Sequence, residues 1–183
     1  MNDTIRDNRL LDALETLQRR SFENVVWRST REGNDPTICW RSGGRWDDRT
    51  YDVLYTSINR ATAIEERRFH LHQGQPLPPS KVNYELFEIE VKLSQVVNLT
   101  EKTLLQTLGL DIGGFGRASY LHREKEYPSS QQIAEACSFL GADGILVPSA
   151  RTDSDNLIVF CEQEPHPLIM IKKSHGVIDW SQE

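Results

Sequence analysis

Leu10, Leu11, Leu14 and Leu17 recur at helical spacing among charged neighbours. Roughly residues 4 to 20 are therefore predicted to form an amphipathic helix laid against the domain or a partner. Phe22 to Ser29 reads as a strand. Turn-rich stretches follow around Gly33, Asn34, Asp35 and Pro36, then around Ser42, Gly43 and Gly44, and beyond them Val53 to Ser57 is predicted to be a short buried strand. Asn59 is placed to cap a helix from about Arg60 to Gln73. Gly74 to Ser80, with three prolines, reads as a loop. From Tyr84 to Leu93, apolar Phe87, Ile89, Val91 and Leu93 alternate imperfectly with polar positions, the pattern of a half-exposed strand. A short helix over residues 100 to 108 and a glycine-rich loop from Asp111 to Ser119 come next. Pro128-Ser129-Ser130 is predicted to open a helix through Leu140 that Gly141 ends. Gly144 to Val147, Asn156 to Cys161 and Leu168 to Lys172 read as strands. Strands and helices without regular βα alternation predict an α+β domain, a mixed β-sheet with flanking helices.

A chain of 183 residues, 38% hydrophobic and 26% charged, has room for one domain with a substantial core. Its net charge of -6 argues against an extended nucleic-acid surface, although a few clustered arginines can still hold one small anion. Cys39, Cys137 and Cys161 are odd in number and widely spaced, so they are expected to be ordinary thiols of a reducing cytosol. No apolar run approaches the roughly 20 residues that span a bilayer, and the amino terminus lacks the pattern of a secretory signal. The expectation is a soluble cytoplasmic protein that binds neither membrane nor nucleic acid directly.

Four groups of residues have side chains suited to a site. Arg28 ends the strand segment Val25-Val26-Trp27-Arg28, and Arg45 follows two glycines in Gly43-Gly44-Arg45-Trp46. Either guanidinium can fork onto a phosphate, and glycine would let a ligand approach the backbone. Tyr55 on a strand and Glu66 about two turns into the next helix can bring an aromatic face and a carboxylate to one cleft. Glu65 competes with Glu66, although Glu66 shares its helical face with Ala63, Phe69 and His70 while Glu65 shares its face with Arg68. Ser149 and Arg151 follow the strand stop at Pro148, where ligands bind in open sheets, and Asn156 starts the next strand. Each group alone also fits an ordinary surface or turn. His70 and His72 lie on different helical faces and lack metal-ligand spacing, so no metal site is expected. Gly113-Gly114-Phe115-Gly116 lacks the Walker lysine, and no serine sits in a GxSxG elbow.

Taken in order, these segments resemble the RES family, toxins of bacterial toxin–antitoxin pairs named for an arginine, a glutamate and a serine. The resemblance rests on Val26-Trp27-Arg28, Gly44-Arg45-Trp46, Val53-Leu54-Tyr55-Thr56-Ser57 with Thr62-Ala63-Ile64-Glu65-Glu66, the run from Gly141 to Arg151, and Asn156-Leu157-Ile158-Val159-Phe160. It covers roughly residues 22 to 162. Residues 1–21 would then be an added amphipathic helix, 22–162 the catalytic domain, and 163–183 a strand and tail packed on it. Glu65 stands where the family commonly has a small or apolar residue.

The resemblance implies a fold similar to ADP-ribosyltransferases and an enzyme that consumes NAD+ as a substrate, with no resident cofactor. In the family's best-described members inorganic phosphate replaces nicotinamide on the ribose, giving ADP-ribose 1″-phosphate. Glu66, Arg28 and Ser149 would be the catalytic residues. Arg28, Arg45, Tyr55, Ser149 and Asn156 would bind NAD+, with Tyr55 stacked on nicotinamide. The implied protein partner is a cognate Xre-like antitoxin covering the cleft, with room for a homodimer inside a larger toxin–antitoxin complex. Transfer of ADP-ribose onto a protein is the enzymatic alternative, and a non-catalytic nucleotide-binding module is the alternative of another class.

Overall fold

Two long strands, β1 (Arg19–Arg31) and β3 (Tyr84–Asn98), pair antiparallel from Arg31↔Tyr84 to Arg19↔Val97. Both exceed the spans that apolar alternation predicts, because backbone pairing continues past the residues whose side chains enter a core. The computed structural model describes residues 6–74, 82–116, 123–163 and 166–183. The remaining elements are α1 (Asn8–Glu15), β2 (Val53–Ser57), α2 (Arg60–Gly74), α3 (Lys102–Thr107), α4 (Arg123–Phe139), β4 (Gly144–Pro148), β5 (Asp155–Phe160) and β6 (Leu168–Val177).

Strand order is β1-β2-β5-β4-β3-β6, and because β1 also pairs with β3 the first five strands form a closed circuit. The β3–β4 pair is parallel, with α3 and α4 in its connection, and the other pairs are antiparallel. This is the mixed sheet with flanking helices that the element pattern predicts. In β2 and β5 alternate residues enter two different cores. Val53, Ile158 and Phe160 pack with α4, while Leu54, Leu157 and Val159 pack with Val26, Ile89 and Val91 on the inside of the circuit. Burial on both faces explains why these strands read as continuous apolar runs rather than alternating ones.

The amino-terminal helix is shorter than its leucine spacing suggests. Asp7 caps α1 by accepting the Arg9 amide at 2.9 Å, and residues 4 and 5 lie outside the described residues. Leu14 is buried at 2% exposure in the core beside α4, with Leu10, Leu11 and Leu17 packed against it. The leucine face is thus covered by its own domain. At its other end α4 begins at Arg123, five residues ahead of the predicted start, with Pro128 inside the helix. Glu124 and Glu126 in its first turn face the positive end of the helix dipole. Gly141 follows the helix at φ +81°, the left-handed conformation that glycine adopts without strain. Of the two predicted loops, residues 75–80 and 117–119 lie outside the described residues.

Cys39 and Cys161 form a disulfide, which corrects the expectation of three ordinary thiols. Sequence spacing gives no hint of the pair, because the two residues are 122 apart and meet only through strand pairing. Val53 bridges Trp40 on one side and pairs with Phe160 on the other, so the neighbouring Cys39 and Cys161 are brought to the two flanks of β2. Cys137 alone is free and buried, and burial pushes its thiol up to about 12.

Candidate functional site

The site is built where the helix after β2 faces the ends of β4 and β5. Asn59 caps α2 as predicted, its side-chain oxygen accepting the Thr62 amide at 2.8 Å. From that start Ala63, Glu66, Arg67, His70 and Leu71 recur on one face and line a cleft of about 650 Å³. Glu66 Oε1 accepts hydrogen bonds from Ser149 Oγ at 2.7 Å and Asn156 Nδ2 at 2.9 Å. Asn156 is held in turn by the Ser57 hydroxyl, which donates to its side-chain oxygen at 2.8 Å. Ser149 sits just past Pro148, where its Oγ accepts the Arg151 amide at 3.0 Å and the Thr152 amide at 3.3 Å. With both amides pointing into the oxygen, the hydroxyl proton is directed at the carboxylate. Glu65 instead pairs with Arg68 on the helix surface, 41% exposed, and is not on the cleft. Of the two glutamates that the sequence leaves open, Glu66 is the one on the face that lines the cleft. Ser149 is brought to the site through Glu66, since Pro148, Ala150 and Arg151 rather than Ser149 line the cleft.

The Gly-Gly-Arg-Trp turn forms the opposite wall, organised around a fully buried carboxylate. Asp47 accepts the Gly43 amide at 2.6 Å, the Gly44 amide at 2.8 Å, the Ser42 hydroxyl at 2.7 Å and the Tyr55 hydroxyl at 3.0 Å. The Tyr55 oxygen also accepts the Trp46 amide at 2.8 Å. Burial, with Asp47 beside it, holds the Tyr55 phenol well above its ordinary pKa. A Cβ on Gly44 would lie 2.5 Å from that oxygen, so the close approach of Tyr55 already requires the glycine. Tyr55 lines the cleft with its ring direction set by this anchor.

Arginines supply the charge. Arg45 lines the cleft but is only 9% exposed and ion-paired with Glu126, its guanidinium 4.5 Å from the Phe115 ring centre and 4.9 Å from that of Tyr127. It is therefore already neutralised, unlike the free fork that the sequence suggests. Arg28 donates from Nη2 to the Ile38 carbonyl at 3.2 Å, whereas its buried Nη1 has no partner. Burial, and then the nearby Arg67 charge, lower its pKa to about 10 against the opposing pull of Asp35. Arg67 donates to the Ser29 carbonyl at 2.7 Å and lies over the Tyr84 ring, and Arg151 donates to the Gly116 carbonyl at 2.6 Å and lies over the Phe69 ring. The Nε atoms of both are buried without a partner, and burial lowers the pKa of both. Three guanidiniums thus bring unsatisfied donors to one cleft of an acidic chain. Such donors are costly to bury unless an anion meets them. Arg67 is the residue that sequence reasoning misses, hidden in a Glu-Glu-Arg-Arg run. Its three- and four-residue spacing to Ala63, His70 and Leu71 is the signal that marks it.

The cleft therefore combines a braced carboxylate, an anchored aromatic and three arginines that each keep one buried N–H unpaired. The family model described as RES domain matches residues 25–181, and the chain belongs to the RES family. The match runs past Glu162, where the recognised motifs end, so β6 lies within the family domain. No curated protein matches the chain. Among solved structures it is similar in fold to a chain in the crystal structure of the M. tuberculosis MbcT–MbcA toxin–antitoxin complex, with TM-score 0.72 and 18% sequence identity, covering 93% of this chain and 92% of that one. Among the described residues no helix is long and apolar enough to cross a membrane.

Proposed function

We propose that this protein is the toxin of a bacterial toxin–antitoxin pair and that its cleft cleaves the bond between nicotinamide and ribose in NAD+, with inorganic phosphate as the acceptor. The observation that carries this reading is the Ser149–Glu66–Asn156 array, which aims one carboxylate into a cleft where Arg28, Arg67 and Arg151 each keep one buried N–H without a partner. RES membership and a fold shared with a chain of a toxin–antitoxin complex support it. As the C1″–N bond breaks, its electron pair stays with the pyridinium nitrogen and neutral nicotinamide departs. Positive charge grows on the ribose, and the Glu66 carboxylate stabilises it while accepting a ribose hydroxyl. A phosphate oxygen then bonds to C1″, giving ADP-ribose 1″-phosphate. Arg28 grips the diphosphate, with Arg67 and Arg151 adding positive potential. Arg45 acts from the wall once an anion competes with Glu126. Tyr55 offers its ring face to the planar nicotinamide. Ser149 and Asn156 hold the carboxylate in place, a positioning role. A cognate antitoxin is the proposed partner.

Purified protein incubated with NAD+ and phosphate should release nicotinamide and yield the 1″-phosphate by mass spectrometry, whereas Glu66→Ala should not. Release without phosphate incorporation would replace phosphorolysis by hydrolysis. Label transferred from NAD+ to a polypeptide of a cell lysate would replace it by protein modification.

A further inference from the structure

Trp40 lines the same cleft yet is 61% exposed, whereas Trp46 and Tyr84 in the cleft wall are 2% and 7% exposed. An aromatic ring exposed at the edge of a pocket offers an open apolar face to whatever enters it. Its backbone is tightly held. The Trp40 amide donates to the Val53 carbonyl at 3.0 Å, and the Trp40 carbonyl accepts the Val53 amide at 3.3 Å. The preceding residue, Cys39, is bonded to Cys161, and Ile38 before it accepts a hydrogen bond from Arg28. An exposed indole on an immobilised backbone is a ready stacking platform, because little ordering remains to be done when a flat ligand lands on it.

Position along β2 says which flat ligand. Trp40 sits across from Val53, and four residues further on Ser57 holds Asn156, which holds Glu66. At strand rise the two stations are about 13 Å apart. Arg28 spans the interval. It follows Trp27, which pairs with Ser57, and its guanidinium reaches back to the Ile38 carbonyl with Nη1 unpartnered. Along the strand the order is thus exposed indole, guanidinium with one unpaired N–H, braced carboxylate. That is the order of a base, a diphosphate and the ribose at the opposite end of an extended dinucleotide.

We propose that Trp40 is the binding platform for the purine base of the dinucleotide, so that the cleft recognises its substrate by the distance from that base to the ribose carbon at Glu66. The inference rests on the NAD+-cleaving reading and specifies how the far end of that substrate is selected. Trp40 touches the base and sets specificity against shorter nucleotides that carry the same nicotinamide ribose.

Two independent readouts test it. In turnover, Trp40→Ala should raise the KM for NAD+ about tenfold with much less change in kcat, the weight of one base stacked on an aromatic ring. The loss should be at least fivefold greater for NAD+ than for nicotinamide mononucleotide, which has no second base, and Trp40→Phe should recover most of it. In calorimetry, ADP should bind wild type about tenfold more tightly than Trp40→Ala, while ribose 5-phosphate should not distinguish them. Equal KM values for NAD+ in wild type and Trp40→Ala, or an equal loss for both substrates, would overturn the platform while leaving the reaction intact. If wild type releases no nicotinamide from either substrate, the proposed reaction falls. The ADP measurement then settles the platform alone: tighter wild-type binding supports it, and equal binding refutes it. An unchanged ADP affinity together with a loss of affinity for an antitoxin would assign Trp40 to a protein interface instead.

Discussion

Ser149 Oγ donates to Glu66 Oε1 at 2.7 Å across 83 residues of chain, and this bond joins the strand end after β4 to the face of α2. Its direction is imposed by the Arg151 and Thr152 amides, which occupy the oxygen from the other side. The carboxylate is therefore pre-positioned before any substrate arrives. In the proposed reaction nothing would have to reorganise as charge developed on the ribose.

Glu66→Gln keeps a hydrogen-bond acceptor for Ser149 and Asn156 but removes the negative charge. Nicotinamide release should fall about 100-fold or more, on the order of 3 kcal/mol of transition-state stabilisation. Glu65→Gln, on the solvent side of the helix, should stay within about twofold of wild type. Ser149→Ala should lie between them. Chromatographic measurement of nicotinamide checks all three, and equal losses in the two glutamine variants would remove Glu66 from the chemistry.

Tyr55→Phe deletes the oxygen that joins Asp47 to the Trp46 amide. Two buried polar groups lose a partner, and the folded state should weaken by about 1–3 kcal/mol. Gly44→Ala should be at least as harmful, because the added methyl meets the Tyr55 hydroxyl. Urea denaturation followed by tryptophan fluorescence reads both. A fully stable Tyr55→Phe would mean that the turn is held by Asp47 alone.

The proposed grip of Arg28 on a diphosphate should be sensitive to pH. With its pKa lowered to about 10 by burial and by Arg67, the side chain is charged at neutral pH and loses its proton near pH 10. ADP affinity should hold from pH 7 to 9 and decline by pH 10.5, as calorimetry at several pH values would show. The stability effect has the opposite sense. The unfolded chain binds this proton more tightly than the folded one, so the contribution of Arg28 to stability is lost as pH falls through about 10. Near neutrality the buried cation weighs against folding. Arg28→Met should then be no less stable than wild type at pH 7, yet fail to gain melting temperature from ADP.

The Cys39–Cys161 bond closes a long loop, and reduction or Cys39→Ser should cost about 2–4 kcal/mol by freeing the unfolded chain. Denaturation with and without reductant tests this. Wild type should respond to reductant and Cys39→Ser should not. In the oxidised folded protein a thiol reagent should label Cys137 only on unfolding.

Short-range signals made much of this fold readable. β2 has the bounds its apolar run suggests, α2 starts at Arg60 behind the Asn59 cap, and β4 stops at Pro148. The extra length of β1 and β3 was hidden because mutual pairing, not side-chain pattern, extends them. The earlier start of α4 was hidden because Pro128 reads as a helix opening and lies inside the helix instead. In the site, residue types named Arg28, Glu66, Ser149 and Asn156, but their wiring is long-range. No local rule reveals that Ser149 addresses the carboxylate, that Arg45 is neutralised by a residue 81 positions away, or that Cys39 finds Cys161.

A single oxygen of Glu126 holds the Arg45 guanidinium and also accepts the Gly116 amide at 2.6 Å. The two donors draw on the same lone pairs, so strengthening either grip slackens the other. In the proposed reaction, a phosphate that drew Arg45 off this oxygen would leave it to the Gly116 amide alone, so filling the cleft would be felt at the adjoining turn through one shared atom.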